Sequence, residues 1–274
     1  MFTLNCKGRL LMIDRPVVMG IINTTPDSFY SGSRQQTVDA ALSKAEQMLR
    51  EGATILDIGG QSTRPGSTHL EPDEELARVL PVLEAINSRF SGSILSVDTF
   101  HSKVAKTAVA HGASMVNDIS GGLFDADMLN IIASLQVPYV CMHVKGTVNT
   151  MHKTPVYTDI VQEVLAYFIQ RVQDCMMAGI KDIIIDPGFG FSKNSTHNFS
   201  LLKDLTVFNI LKKPLLLGVS RKSTIYKTLG ISAEASLNGT TVLHTAGLLK
   251  GATILRVHDV KEAMEAIELT QYLK

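Results

Sequence analysis

Polar and charged residues close almost every apolar run of this chain: Asn23, Asp57, Asp98, Asn117 with Asp118, His143, Asp186, Ser220-Arg221-Lys222-Ser223, and Arg256 with His258. Asp98, Asn117 and Asp186 offer carboxylates and an amide, which suit the donor-rich edge of a flat heterocycle held in a dry cavity. A carboxylate buried there without a partner is costly, so each needs a donor. Lys222, Arg256 and His258 supply positive charge for an anion. Two plainer roles stand beside these. A polar residue after a strand often caps the following helix, and Lys222 and Arg256 can pair with Asp186 and Asp98 as structural ion pairs.

The elements that must position these residues alternate along the chain. Short apolar, β-branched runs cover Val17 to Asn23, Thr54 to Ile58, Ile94 to Asp98, Met115 to Ile119, Pro138 to His143, Ile183 to Asp186, Leu215 to Ser220 and Thr253 to His258. That makes about eight strands, the number a closed parallel barrel needs. Helical patterns separate them. In the first, Val38, Ala41, Leu42, Ala45 and Leu49 recur at helical spacing after a Thr37 cap, and Gly52 ends the pattern. In the last, Asp259 is the expected cap and Val260, Ala263, Met264 and Ile267 share a face.

The expected fold is therefore α/β, a single (β/α)8 TIM barrel over residues 1–274, with Phe2 to Ile13 as a short N-terminal hairpin closing the bottom. An open doubly wound sheet also alternates strand and helix. In a barrel, the carboxyl ends of the strands carry the chemistry, and the last two often hold phosphate. The loops from Thr24 to Gln36 and Gly60 to Asp73 exceed the usual connection length, which suits lids or substrate contacts, with floppy insertions as the alternative. Gly188-Phe189-Gly190-Phe191 lacks the third glycine of a dinucleotide fingerprint.

Composition narrows the function classes. Lys plus Arg equals Asp plus Glu at 26 each, so no net field favours nucleic acid or an anionic membrane. No apolar run approaches the roughly 18 residues of a membrane span. The three cysteines, Cys6, Cys141 and Cys175, are widely spaced and outside any C-x-x-C pattern, which fits a reducing, cytoplasmic setting. His69, His101, His111, His152, His197 and His244 lack ligand spacing and read as surface or packing residues. Among the scattered methionines, Met142 is a candidate cavity wall.

Several motifs together resemble dihydropteroate synthases. Gly20-Ile21-Ile22-Asn23-Thr24-Thr25-Pro26-Asp27-Ser28-Phe29 is similar to the family's first signature, and Asp57-Ile58-Gly59-Gly60-Gln61-Ser62-Thr63-Arg64-Pro65-Gly66 to its second. Ser96-Val97-Asp98-Thr99, Val116-Asn117-Asp118-Ile119-Ser120-Gly121-Gly122, Asp186-Pro187-Gly188-Phe189-Gly190-Phe191 and Ser220-Arg221-Lys222-Ser223 follow in the family's order. Tyr30-Ser31-Gly32-Ser33 and Gln61 depart from the common pattern.

The resemblance implies condensation of 6-hydroxymethyl-7,8-dihydropterin diphosphate with p-aminobenzoate, giving 7,8-dihydropteroate and diphosphate, in a Mg²⁺-dependent, cytoplasmic, homodimeric sulfonamide target. It implies that Asp98, Asn117, Asp186 and Lys222 hold the pterin, while Thr63, Arg256 and His258 serve the diphosphate and Asn23 serves its metal. Asp98, Asp186, Lys222 and Arg256 would be catalytic. Phe29, Arg64, Pro65, Phe191 and Ser223 would receive p-aminobenzoate, Ser223 with help from helix amides that favour anions. Two other readings are a methyltransferase that moves a methyl group from a methylated folate to a corrinoid protein, and a silent pterin-binding protein. The Ser220 to Ser223 motif and the two signature loops favour the synthase over the first. Asn23, Arg256 and His258 together favour it over the second, because a mere pterin binder has no need of a diphosphate grip.

Overall fold

The structure, a computed structural model, describes residues 1–24, 34–61, 69–151 and 156–273. It begins with the expected hairpin. β1 (Phe2–Cys6) and β2 (Arg9–Ile13) pair antiparallel, with Phe2 opposite Ile13 and Cys6 opposite Arg9. The two connecting residues, Lys7 and Gly8, have φ of 56° and 87°, and two positive φ values give a tight turn the twist of its strands. Alternation then buries Leu4, Cys6, Leu11 and Ile13 on one face. That face packs against Val17, Ile94, Met115 and Ile254, the first residues of four barrel strands, so the hairpin plugs the amino-terminal end.

The barrel strands are β3 (Val17–Asn23), β4 (Ile55–Gly59), β5 (Ile94–Asp98), β6 (Met115–Asp118), β7 (Tyr139–Met142), β8 (Ile183–Asp186), β9 (Leu216–Leu217) and β10 (Ile254–Val257). They are parallel in the order β8-β7-β6-β5-β4-β3-β10-β9, and a parallel bridge between Ile185 and Leu215 joins the two edges. Around them run α1 (Arg34–Arg50), α2 (Pro72–Arg89), α3 (Ser102–Ala110), α4 (Met128–Leu135), α5 (Ile160–Ala178), α6 (Ser195–Lys203), α7 (Ser223–Leu229), α8 (Leu237–Leu249) and α9 (Val260–Gln271). This is a (β/α)8 barrel, not an open doubly wound sheet.

Side chains alternate across each strand. Val18, Ile22, Leu56, Ile58, Leu95, Val97, Leu255 and Val257 belong to the cluster shared with the helices. Met19, Ile55, Ile94, Met115, Val140, Ile184, Leu216 and Ile254 belong to the interior cluster. By the same parity, Asp57, Asn117, Asp186 and Arg256 are the next inward positions on their strands, and Asp98 is the inward position after Ser96. Asp118 has the opposite parity. Its carboxylate accepts from Ser120 N and Oγ, Gly122 N and Tyr139 OH, which makes it an anchor of the strand-end turn.

Three expectations change in detail. The run from Leu215 to Ser220 contributes only Leu216–Leu217 as a strand, because Gly218 to Ser220 leave the sheet for the turn into α7. Thr37 does not cap α1, which already begins at Arg34; Arg and Gln are good helix formers and carry the helix upstream of it. Asp259 does precede α9 but makes no side-chain cap, because Arg221 takes both its oxygens at 2.8 and 2.9 Å. Among the described residues, no helix is long and apolar enough to cross a membrane.

Candidate active site at the carboxyl ends of the strands

The upper inward layer is a charge network built around Arg256. Its Nε donates to Asp57 Oδ2 at 2.7 Å and its Nη2 to Asp98 Oδ2 at 2.5 Å. The same Asp57 oxygen accepts from Asn117 Nδ2 at 2.9 Å. Because a carboxylate only accepts, Asn117 must turn its amino group toward Asp57 and leave Oδ1 free as an acceptor. Burial pushes the Asp98 carboxyl upward while Arg256 opposes that shift. Burial also acts against the guanidinium, but Asp57 and Asp98 outweigh it and raise its pKa, so the guanidinium stays charged at neutral pH.

Across the barrel, Asp186 is buried and its Oδ1 accepts from Gly188 N at 2.8 Å. Burial raises its pKa, with Lys222 as the chief opposing influence. Lys222 stands immediately before α7; burial lowers its ammonium to about 8, while Asp186 works in the other direction. Nζ of Lys222 donates to the Phe189 carbonyl and lies 4.6 Å from the centre of the Phe191 ring, a cation–π contact. No direct Lys222–Asp186 ion pair forms. Two inward positions here are glycines. A Cβ on Gly218 would lie 3.8 Å from both Asp186 Oδ2 and Lys222 Nζ, and one on Gly59 would lie 3.3 Å from Asp98 Cβ, so their absence leaves room beside the polar groups.

Above β5, β6 and β7, Phe100, Ile119, Met142, Val144 and Met151 form a separate apolar cluster, with Phe124, Val148 and Phe191 against it. One end of the barrel thus combines carboxylates, a correctly turned amide, two cations and an apolar wall. It can hold a flat heterocycle by its polar edge and an anion beside it.

The comparisons narrow this chemistry. Residues 19–258 match the family model described as pterin binding enzyme. The dihydropteroate synthase of Escherichia coli strain K12 is 42% identical over 267 residues, covering 97% of this chain and 94% of the relative. The solved structure of Xanthomonas albilineans dihydropteroate synthase with 4-aminobenzoic acid has a TM-score of 0.92 at 42% identity, covering 99% of this chain and 97% of the other. A structure of the Xanthomonas albilineans enzyme in complex with 7,8-dihydropteroate has a TM-score of 0.90 at 39% identity, covering 99% and 98%.

The chain belongs to the dihydropteroate synthase family.

As a dihydropteroate synthase it is a transferase, and its sequence-predicted residues can be located one by one. Asp98, Asn117, Asp186, Lys222 and Arg256 converge at the barrel mouth as described. Asn23 ends β3, half-buried, opposite Gly59. His258 lies just past β10 with Nδ1 3.0 Å from Ser220 Oγ. Its side chain reaches solvent, yet crowding at the mouth desolvates the imidazole and Arg256 repels a second charge, lowering it to about 4. Ser223 is the first residue of α7. Thr63, Phe29, Arg64 and Pro65 lie outside the described residues, as do His152 and the Tyr30 to Ser33 departure. Gln61, the other departure, accepts from Leu70 N at 2.9 Å and so ties together the two ends of the second signature loop.

Sequence reasoning named Asp57 without giving it a role, and passed over Lys193. Asp57 had a usable signal, an acidic residue at an inward strand position. Lys193 had none, since it lies in an irregular loop. His101, His111 and His197 contact Leu70 O, Glu84 and Asn194 N respectively, and His244 is buried in α8, all consistent with packing or surface roles.

Proposed function

We propose that this dihydropteroate synthase binds 6-hydroxymethyl-7,8-dihydropterin diphosphate with its ring across the upper inward layer and its diphosphate toward Arg256 and His258. The observation that carries this reading is the Asp57–Asn117 hydrogen bond, which occupies the Asn117 amino group and leaves its side-chain oxygen as an acceptor at the same end of the barrel as Asp98 and Asp186. Those acceptors match the donor-bearing edge of a pterin, and Lys222 supplies a donor on the other side.

The reaction breaks the bond between the pterin methylene and the diphosphate oxygen and forms one from that carbon to the arylamine nitrogen, which gives up a proton. The bonding pair leaves with diphosphate. No protein nucleophile is required, so the residues act by placing charge. Asp98 and Asp186 stabilise positive charge that spreads into the ring, and Arg256 and His258 stabilise negative charge gathering on the leaving group. Phe191 and Ser223, with Phe29, Arg64 and Pro65 of the signature loops, receive p-aminobenzoate, and Thr63 reaches the diphosphate.

Mg²⁺ fits as a companion of the diphosphate. Among the described residues no group of three or more His, Cys, Asp or Glu side chains forms a cage, while Asn23 offers one amide oxygen at the mouth. A magnesium ion held by one protein oxygen and substrate phosphates is a common arrangement, and it would neutralise leaving-group charge. The enzyme is proposed to work in the cytoplasm as a homodimer. Exposed Leu229, Ile231 and Val242 on and beside α7 and α8 support a second copy docking there.

The test is to incubate the protein with dihydropterin diphosphate, p-aminobenzoate and Mg²⁺, with an EDTA control, and follow dihydropteroate by mass spectrometry. Product that disappears with EDTA is expected. Product formed equally well with EDTA would remove the metal from the scheme, and pterin binding without turnover would favour a silent binder.

A further inference from the structure

Lys193, in the loop between β8 and α6, donates from Nζ to the carbonyls of Gly188 at 3.1 Å, Phe191 at 3.0 Å and His143 at 3.4 Å. A fourth contact, 2.9 Å to His143 Nδ1, requires that nitrogen to be the acceptor, with the ring proton on Nε2. Burial, reinforced by the charges of Lys193 and Lys145, holds the imidazole well below its ordinary pKa and therefore neutral. No carboxylate forms an ion pair with Lys193 among the described residues. An apolar side chain would glue this loop down at less cost than a buried ammonium. A charge kept here among carbonyls fixes geometry more than it adds cohesion.

What it fixes is the wall on which Lys222 rests. The loop meets the end of β7 so closely that a Cβ on Gly188 would lie 2.1 Å from the His143 carbonyl. Ser192 fastens the same loop to the segment after β7, donating to Met151 O at 2.7 Å and accepting from Lys145 N at 2.8 Å. Between these fixings, the loop presents to Lys222 its two partners, the Phe189 carbonyl and the Phe191 ring.

We infer that Lys193 is a positioning residue for pterin binding, acting through the Phe189–Phe191 segment to set where the Lys222 ammonium stands. This rests on the reading above, in which Lys222 contacts the pterin. Lys193 itself touches no substrate. Its burial draws the ammonium down to about 7, with Asp186 opposing the shift and Lys222 adding to it.

The experiment is a double-mutant cycle on pterin affinity, measured calorimetrically with wild type, Lys193→Met, Lys222→Met and the double variant, alongside KM and kcat for each. Lys193→Met is expected to weaken pterin binding about tenfold in the wild-type background and by less than about twofold when Lys222 is already Met, because contacts acting as a unit are not additive. KM for the pterin substrate should rise more than kcat falls. Lys193→Gln, which keeps two donors for the carbonyls, should lie between wild type and Lys193→Met, and it replaces Lys193→Met in the cycle if the latter does not fold. Equal weakening in both backgrounds, or a fall in folded fraction with unchanged KM, would overturn the inference. If Lys222→Met alone leaves pterin affinity unchanged, the failure lies instead in the placement of the pterin.

Discussion

The two halves of the barrel interior are built on the same strands and differ by one step of the pleat. At the amino-terminal end, Met19, Ile55, Ile94, Met115, Val140, Ile184, Leu216 and Ile254 fill the space, and the hairpin seals it. Two residues further along four of these strands stand Asp57, Asp186, Gly218 and Arg256. The lower half has apolar side chains that satisfy one another. In the upper half, Arg256 pairs with Asp57 and Asp98 from other strands, Asp186 and Lys222 are held by backbone groups of the loop after β8, and glycines replace side chains that would fill the cavity. Stability and chemistry are thereby separated along the barrel axis, as parallel barrels allow.

That separation can be broken by substitutions at matched positions. Ile184, fully buried in the lower half, should cost about 2–5 kcal/mol of unfolding free energy when changed to Ala. Denaturant titration checks this, and the pterin affinity of the folded protein should hardly change. Arg256→Ala should reverse the pattern, reducing turnover at least tenfold, a loss of about 1.4 kcal/mol of transition-state stabilisation. Near-normal kcat/KM in that variant would remove Arg256 from the leaving-group site.

Much of this division was legible in the sequence. Val17–Asn23, Ile94–Asp98 and Ile183–Asp186 appear as strands with the boundaries their composition suggests, because a β-branched run ending in one polar residue is an unambiguous signal in a parallel sheet. Parity also separates Asn117, facing in, from Asp118, facing out to Tyr139. The pairings were not legible. Arg256 and Asp57 are 199 residues apart, and nothing local to either indicates that barrel closure brings them together. For Lys193 the obstacle is different: three of its partners are backbone carbonyls and the fourth, His143 Nδ1, is 50 residues away, which no local side-chain pattern records.

Two finer tests concern these nonlocal contacts. Asp57→Asn keeps the shape but removes the charge that holds both Arg256 and Asn117, and should weaken pterin binding about tenfold, near 1.4 kcal/mol. Calorimetry would detect it, and unchanged affinity would mean that Asn117 is oriented by other contacts. The smallest effect is a pH dependence. With the Lys222 ammonium lowered to about 8, its charged fraction falls as pH rises through that value. Binding of 6-hydroxymethyl-7,8-dihydropterin, which carries no titrating phosphate, should weaken by up to about fivefold between pH 8 and pH 9. Lys222→Met should abolish that limb.

The most direct test of the upper layer as the pterin site is calorimetric titration of the pterin into Asp186→Ala beside wild type, with thermal melting of both. Affinity reduced at least tenfold, about 1.4 kcal/mol, with the cooperative unfolding transition retained, is the expected result. Equal affinity in the two proteins would contradict the account, because the pterin would then bind somewhere other than the polar half of the barrel.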